Sequence, residues 1–309
     1  MNILVTGGTG FIGSHVVEEL LAHGHHLRVM AHSGNLGTDL QFIQKHTEFV
    51  LGDISDRSTI RDAVKDMDAI IHLAWSTVPK NATADPTFDV QSNVIGSLYL
   101  LEEARDQQVQ KFVFISSGGT VYGKPTHTPI PETHPTNPIS AYGLSKLTVE
   151  KYLQLYHHLY NLDYSVLRVA NAYGERQNLL KGQGVVGVWL YKALRRESLE
   201  VWGDGSVARD YVYVKDVAKA AVLAVEKESR VKTFNVGSGN AISLNEVLKA
   251  IKEITKRDIK VNYTPGREFD VPTNELDISL IHNNLGWQPE MPFQQGLARV
   301  WQYLQGEQQ

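Results

Sequence analysis

Short apolar runs alternate with amphipathic stretches through the first half of the chain. "NILVTG", "LRVMA", "TEFVLGD", "DAIIHLAW", "KFVFISS" and "YSVLRVA" are strand-length and rich in β-branched or aromatic residues, the pattern of strands buried on both faces. After the first run, Phe11, Ile12, Val16, Leu20 and Leu21 recur at helical spacing, and Gly24 supplies a stop. "RSTIRDAVKDM", "DVQSNVIGSLYLLEEARDQ" and "AYGLSKLTVEKYLQLYHHLY" also read as helices. Strand alternating with helix predicts parallel βαβ units, and hence an α/β fold with a doubly wound parallel sheet. Past about residue 170 the pattern changes. "LEVWG", "YVYV" and "TFNVG" are short strands among the helical stretches "VVGVWLYKALRRE", "VKDVAKAAVLAVEKE", "LNEVLKAIKEITK" and "FQQGLARVWQYLQ". With no internal repeat and no linker composition, two interlocked lobes are expected: residues 1–170, and a smaller C-terminal α/β lobe over 171–309, with a cleft at their junction.

Composition narrows the classes. Hydrophobic residues make 42% of the 309 and charged residues 21%, ordinary for a globular protein. A net charge of −4 carries no basic excess to favour nucleic acid or anionic membrane as a partner. The absence of cysteine excludes disulfides and thiolate metal sites. The histidine pairs at 25–26 and 157–158 lack a third ligand in pattern, so no metal is expected. The chain enters a strand directly at "MNILVTGG", with no basic segment ahead of an apolar one, and no apolar run approaches the ~18 residues of a membrane span. The expectation is a soluble, cytoplasmic protein.

Two motifs carry candidate chemistry. "TGGTGFIG" places Gly7, Gly10 and Gly13 between a predicted strand and a predicted helix. There, glycines let the backbone turn tightly and approach a pyrophosphate that the helix N-terminus attracts, the Rossmann arrangement for a dinucleotide. The carboxylate that usually follows on the second strand to bind the ribose of NAD is missing, with Ala31 and His32 at its place, so NADP stays open beside NAD. In "SAYGLSK", Tyr142 and Lys146 are four residues apart and share a helix face. A free phenol titrates near ~10, too high for a base at neutral pH, and a fixed ammonium beside it favours the phenolate. Lys146 has further donors for ribose hydroxyls.

These motifs, with "GDI", "HLA", "NVIGSLYLLE", "SSGGTVYG", "LRVANAYG", "WGDGSVARDYVYVKDVA" and "LGWQP" in order from Met1 to about Leu304, resemble the extended short-chain dehydrogenase/reductase family. Within it, the chain is most similar to the UDP-glucose 4-epimerase-like enzymes. The resemblance implies Tyr142 and Lys146 as the catalytic pair. It implies Ser117, ahead of Ser116 and Thr120, as the hydroxyl that bonds the reacting sugar oxygen. Phe11 and Ile12 then line the pyrophosphate loop, Asp53 and Ile54 flank the adenine, and Leu73, Ala74, Lys80 and Asn93 contact the rest of the dinucleotide. Asn171, Arg209 and Arg267 hold the sugar-nucleotide diphosphate, Asp270 its ribose, and Asn274 borders the hexose. Plainer readings stand beside some of these: Asp53 as a turn residue, Lys80 as a solvated lysine, Arg267 and Asp270 as an ion pair, Asn274 as a cap for "ELDISLIHNN".

The family's dehydratases and decarboxylases carry carboxyl groups just after this hydroxyl, whereas Gly118, Gly119 and Thr120 carry none, leaving elimination without its acid and base. The reading is therefore an NAD-dependent C4 epimerase of UDP-glucose and UDP-galactose, extended to N-acetylated forms by the small Asn274, and a homodimer paired through its 93–104 and 147–160 helices. A nucleotide-sugar reductase or dehydrogenase, another epimerase of the family, and a non-catalytic dinucleotide-binding protein are the alternatives.

Overall fold

In the computed structural model, which describes residues 1–34, 37–179, 184–266 and 271–306, β1 (Asn2–Thr6), α1 (Phe11–Ala22), β2 (His26–Ala31), α2 (Gln41–His46), β3 (Glu48–Leu51), α3 (Arg57–Val64) and β4 (Ala69–His72) open the chain. Then come α4 (Pro79–Ala84), α5 (Pro86–Asp89), a π-helical turn over Val90–Ile95, α6 (Gly96–Asp106), β5 (Lys111–Ser117), α7 (Ala141–Tyr160) and β6 (Asp163–Val169). Gly24, predicted as a stop, lies just past α1 at φ +78°. The strands alternate side chains between two cores. Ile3, Val5, Ile71, Val113 and Ile115 face one, while Leu4, Ile70, Phe112 and Phe114 face the other. The first core includes α1, and the second includes α3, α6 and α7. Apolar residues on both faces are what the near-continuous runs in the sequence required.

The second half returns to this sheet before leaving it. After β7 (Asn171–Tyr173), α8 (Val185–Leu194), β8 (Leu199–Trp202) and β9 (Ala208–Tyr213), helix α9 (Val214–Glu226) packs beside α1 and β10 (Thr233–Val236) pairs with β6. Seven parallel strands result, in the order β10-β6-β5-β4-β1-β2-β3. The rest are β11 (Ala241–Ser243), α10 (Leu244–Thr255), β12 (Val261–Thr264), β13 (Thr273–Asn274), α11 (Ser279–Leu285) and α12 (Phe293–Gly306). Strands β7, β9, β11 and β13 form a small mixed sheet, and β8 pairs with β12. A separate core from α8, α10 and α12 supports them. Helix α9 and strand β10, although they follow residue 170, thus pack with the first core and its sheet. Among the described residues no helix is long and apolar enough to cross a membrane.

Candidate active site

The strand order reverses at β1, whose neighbours are β2 on one side and β4 on the other. Ligands of doubly wound sheets bind at the carboxyl ends of strands beside such a reversal, and the glycine loop sits there. Its glycines are fixed by sterics. A Cβ on Gly7, at φ +71°, would lie 2.7 Å from the Ala74 nitrogen, and one on Gly13 would lie 2.1 Å from the Gly7 oxygen. Gly10 caps α1 with no side chain on its amides, so the first turn keeps donors for an anion. Phe11 and Ile12 are half-buried in that turn, and Leu73 and Ala74 are half-buried beyond β4. This cradle fits a dinucleotide pyrophosphate.

Other predicted cofactor positions are placed less directly. Asp53 accepts from the Ser55 amide at 2.8 Å, the turn bond of the plainer reading. Ile54 is buried against Gly96, whose missing Cβ leaves room for it. Lys80 is exposed in the first turn of α4. Asn93 is fully buried, with its amide engaged by protein groups: Oδ1 accepts from the Ser76 amide at 2.7 Å, and Nδ2 donates to Thr77 and Asp89 at 3.0 and 2.9 Å. At the end of β2, Ala31 is buried and His32 exposed.

Helix α7 starts where the sequence predicted, with Ser140 Oγ accepting from the Gly143 amide at 3.2 Å. One turn in, Tyr142 is half-buried and Lys146 only 3% exposed. The Lys146 ammonium donates to the Ile115 carbonyl at 2.8 Å and lies 5.8 Å from the Tyr142 ring centroid. Burial lowers its pKa to about 7, against the opposing pull of Glu150 and Asp89. The phenol moves the other way. Burial and then the Asp89 carboxylate push the Tyr142 pKa up. The expected phenolate, favoured by the ammonium, is opposed here by desolvation.

The turn after β5 packs on this helix. A Cβ on Gly143 would meet the Thr120 oxygen at 2.7 Å. Ser116 is buried and donates to Glu150 Oε1 at 2.5 Å, while Ser117 is half-buried at the strand end with no partner for its hydroxyl among the described residues. Asn274, 2% exposed in β13, donates from Nδ2 to the Gly118 carbonyl at 3.3 Å. It therefore joins the 117–120 turn and does not cap the helix that follows, whose first amide is met by Asp277. Three polar atoms around the pair, Trp75 Nε1, Thr120 Oγ1 and Asn274 Oδ1, are buried with no hydrogen-bond partner among the described residues. Orphans of this kind are costly in a closed core and fit a site that receives a polar ligand.

Sequence reasoning missed the polar network behind the pair. Asp89, fully buried, accepts from Ser145 Oγ at 2.5 Å and from Asn93 at 2.9 Å, with Thr77 Oγ1 as a third donor. Glu150 pairs with Arg168 at 2.7 Å, and Arg168 donates to the Tyr122 hydroxyl at 3.0 Å. His72, bonded to Thr6 at 2.7 Å and Ser97 at 2.9 Å, has its pKa brought down to about 3 by burial and then by the Lys146 charge, and so is neutral. Only the polar residues inside otherwise apolar runs hinted at this.

On the other lobe, Asn171 in β7 donates to the Asp210 carbonyl at 3.2 Å. Arg209 on the adjoining β9 donates to the carbonyls of Ala208 and Val271 at 2.9 and 2.6 Å. Arg267 and Asp270 lie outside the described residues. Asp210, unpredicted, is a buried carboxylate that accepts from the Ser238, Gly239 and Leu276 amides.

Residues 3–237 match the NAD dependent epimerase/dehydratase family. The chain is 37% identical to the UDP-glucose 4-epimerase of Mycolicibacterium smegmatis over 100% of both chains. Its structure resembles the UDP-glucose 4-epimerase of Thermotoga maritima solved with UDP-glucose (TM-score 0.95, 37% identity, 100% of both chains). It also resembles the UDP-glucose 4-epimerase of Thermus thermophilus solved with NAD (TM-score 0.92, 34% identity, 99% of both chains).

Proposed function

The chain belongs to the NAD-dependent epimerase/dehydratase family, and from that premise we propose that it is an isomerase that inverts C4 of a UDP-hexose through a 4-keto intermediate. The observation that carries the reaction type is that, among the described residues, no spare carboxyl group stands beside the pair. Residues 118–120 have none, and Asp89 and Glu150 are committed to donors of the fold. Elimination and decarboxylation lack their acid and base, whereas epimerisation needs one base and a reversible hydride acceptor. NAD held on the Gly7–Gly13 cradle supplies that acceptance.

In this reading, Tyr142 takes the proton of the sugar 4-hydroxyl and later returns it. Lys146 holds positive charge beside the developing phenolate. Ser117 donates to the reacting oxygen from the strand end, where its hydroxyl is unused by the fold. Asn171, Arg209 and Arg267 hold the sugar-nucleotide diphosphate and Asp270 its ribose while the keto sugar turns over, and Lys80 contacts the dinucleotide. Asn274, small and with a free carbonyl oxygen, leaves room for a 2-acetamido group. We further propose that the chain is a homodimer paired through α6 and α7.

The test is a panel of UDP-hexoses, plain and N-acetylated, with products resolved by chromatography. Interconversion of 4-epimers with no net change in cofactor oxidation state is expected. Tyr142→Phe is expected to lose at least nine-tenths of turnover while binding the UDP-sugar almost as well. Net oxidation or reduction of the sugar would replace the epimerase reading with a dehydrogenase or reductase.

A further inference from the structure

The buried Lys146 ammonium has an unusual surround. No carboxylate of the described residues lies within ion-pair distance of it, and one protein oxygen, the Ile115 carbonyl, takes one of its three protons. What covers it is aromatic. Its nitrogen lies 3.7 Å from the centroid of Trp75 and 4.7 Å from that of Phe114. A cation over an indole face is attracted by the ring quadrupole, and most strongly where water is excluded. This attraction acts on the charge of the ammonium and supplies no carboxylate oxygen to it.

The segment carrying Trp75 is pinned on both sides. The Ala74 amide donates to Thr6 Oγ1 at 3.3 Å, the Ser76 amide to Asn93 Oδ1 at 2.7 Å, and Thr77 to the buried Asp89. The indole also packs edge-on to Tyr142, with centroids 6.0 Å apart. Trp75 therefore touches both members of the pair and is not a loose loop side chain.

We propose that Trp75 is a positioning residue that keeps the Lys146 ammonium charged and aimed at the reacting pair, in place of the carboxylate a buried lysine ordinarily needs. The proposal rests on the reading of Lys146 as part of that pair. Other groups act on the same charge. Asp89 from α5 and Glu150 from α7 favour the ammonium from a distance, His72 from β4 is neutral, and burial holds the Tyr142 phenol in its protonated form. Removing the indole face leaves these in place and withdraws the contact nearest the nitrogen, so Lys146 should lose its proton at lower pH.

The experiment titrates Lys146 in the cofactor-free protein by NMR of 13Cε-labelled lysine, its signal assigned by loss in Lys146→Gln. Trp75→Leu, which keeps an apolar filler without a ring, is expected to move the midpoint down by about one pH unit. Trp75→Phe should move it by less. The alkaline limb of the turnover profile should shift by the same amounts in the same order. Should Trp75→Leu fail to fold, wild-type protein grown on trifluorinated tryptophan has the same shape with a weakened quadrupole and should show the downward shift. An unchanged midpoint overturns the proposal. So does an upward one, which would mean the indole acts by keeping water off the ammonium. The free-protein titration stands whichever sugar is turned over. Failure of the epimerase reading would appear in the product panel and not in this midpoint.

Discussion

Ser116 and Ser117 are neighbours on β5 with opposite surroundings, because successive strand residues point to opposite faces. Ser116 faces inward, and its hydroxyl is one of the groups that satisfy the Glu150 carboxylate beside Arg168. Ser117 stands at the strand end with a hydroxyl the fold does not use. Ser117→Ala is therefore expected to lower kcat by about 10²-fold, the effect of losing one hydrogen bond to a reacting oxygen, with a melting temperature near that of wild type. Ser116→Ala should lower stability by about 1–3 kcal/mol by leaving a buried carboxylate short of a donor, with less effect on kcat. Steady-state kinetics and thermal melts on both variants check this, and the reverse pattern would give the reacting role to Ser116. The motif favoured Ser117, whereas what sets the two hydroxyls apart is Glu150, 34 residues away from Ser116 in the chain. Asp89 was illegible on the same ground. Its partners Ser145 and Thr77 come from separate segments, and no local pattern announces a carboxylate whose donors arrive through folding.

Helix α7 covers the sheet with one side and leaves a second apolar stripe outside. Val149 and Leu153 are buried, while Leu144, Leu155, Leu159 and Tyr160 are 58%, 43%, 55% and 47% exposed. Phe88 and Val90, which lead into α6, add exposed apolar surface. A stripe of this kind is costly in water and is covered well by its own symmetric copy in a two-fold contact. Wild-type protein is expected to sediment as a dimer at micromolar concentration. Leu155→Arg with Leu159→Arg should give a folded monomer, since neither side chain supports the core. A monomeric wild type would rule the contact out. This helix was legible end to end, because 20 residues of periodic pattern follow a serine cap. "DVQSNVIGSLYLLEEARDQ" read as one helix, yet α5 ends at Asp89, a π turn spans Val90–Ile95 and only then does α6 begin. A widened turn hardly disturbs apolar periodicity, so the sequence pattern does not reveal it. Strands β7 and β13, of 3 and 2 residues, are too short for any period and exist because β9 offers edges to pair with.

Across the whole molecule, polar groups buried at the seams fix how the lobes meet, and some of these groups titrate. Asn235 of β10 bonds the Tyr122 hydroxyl at 2.6 Å and the carbonyls of Ile130 and Asp277 at 2.8 and 3.1 Å, tying the 123–140 loop and the 273–277 segment to the main sheet. His15 of α1 contacts the Glu175 carbonyl at 3.1 Å and the Arg176 guanidinium at 2.5 Å, linking the glycine-loop helix to the chain beyond β7. Burial and that guanidinium bring the His15 pKa down to about 4, and burial brings that of His72 to about 3. Both midpoints lie below the ~6.5 of an unfolded histidine. As pH falls from there, the unfolded chain takes up protons that the fold refuses. Stability is lost at up to about 1.4 kcal/mol per pH unit for each group, until its folded midpoint is reached. Buried carboxylates such as Asp210, with pKa values raised by burial, act in the opposite sense and partly offset this loss. A difference measurement separates the contributions. His72→Gln keeps a side chain able to bond Thr6 and Ser97 but cannot titrate, so its urea midpoint should fall less steeply than that of wild type between pH 6 and pH 4. The gap between the two stability curves should change by about 1.4 kcal/mol per pH unit across that window. Parallel curves would mean that His72 takes up its proton in the folded protein, and that the buried contacts between β1, β4 and α6 yield to acid before the fold does.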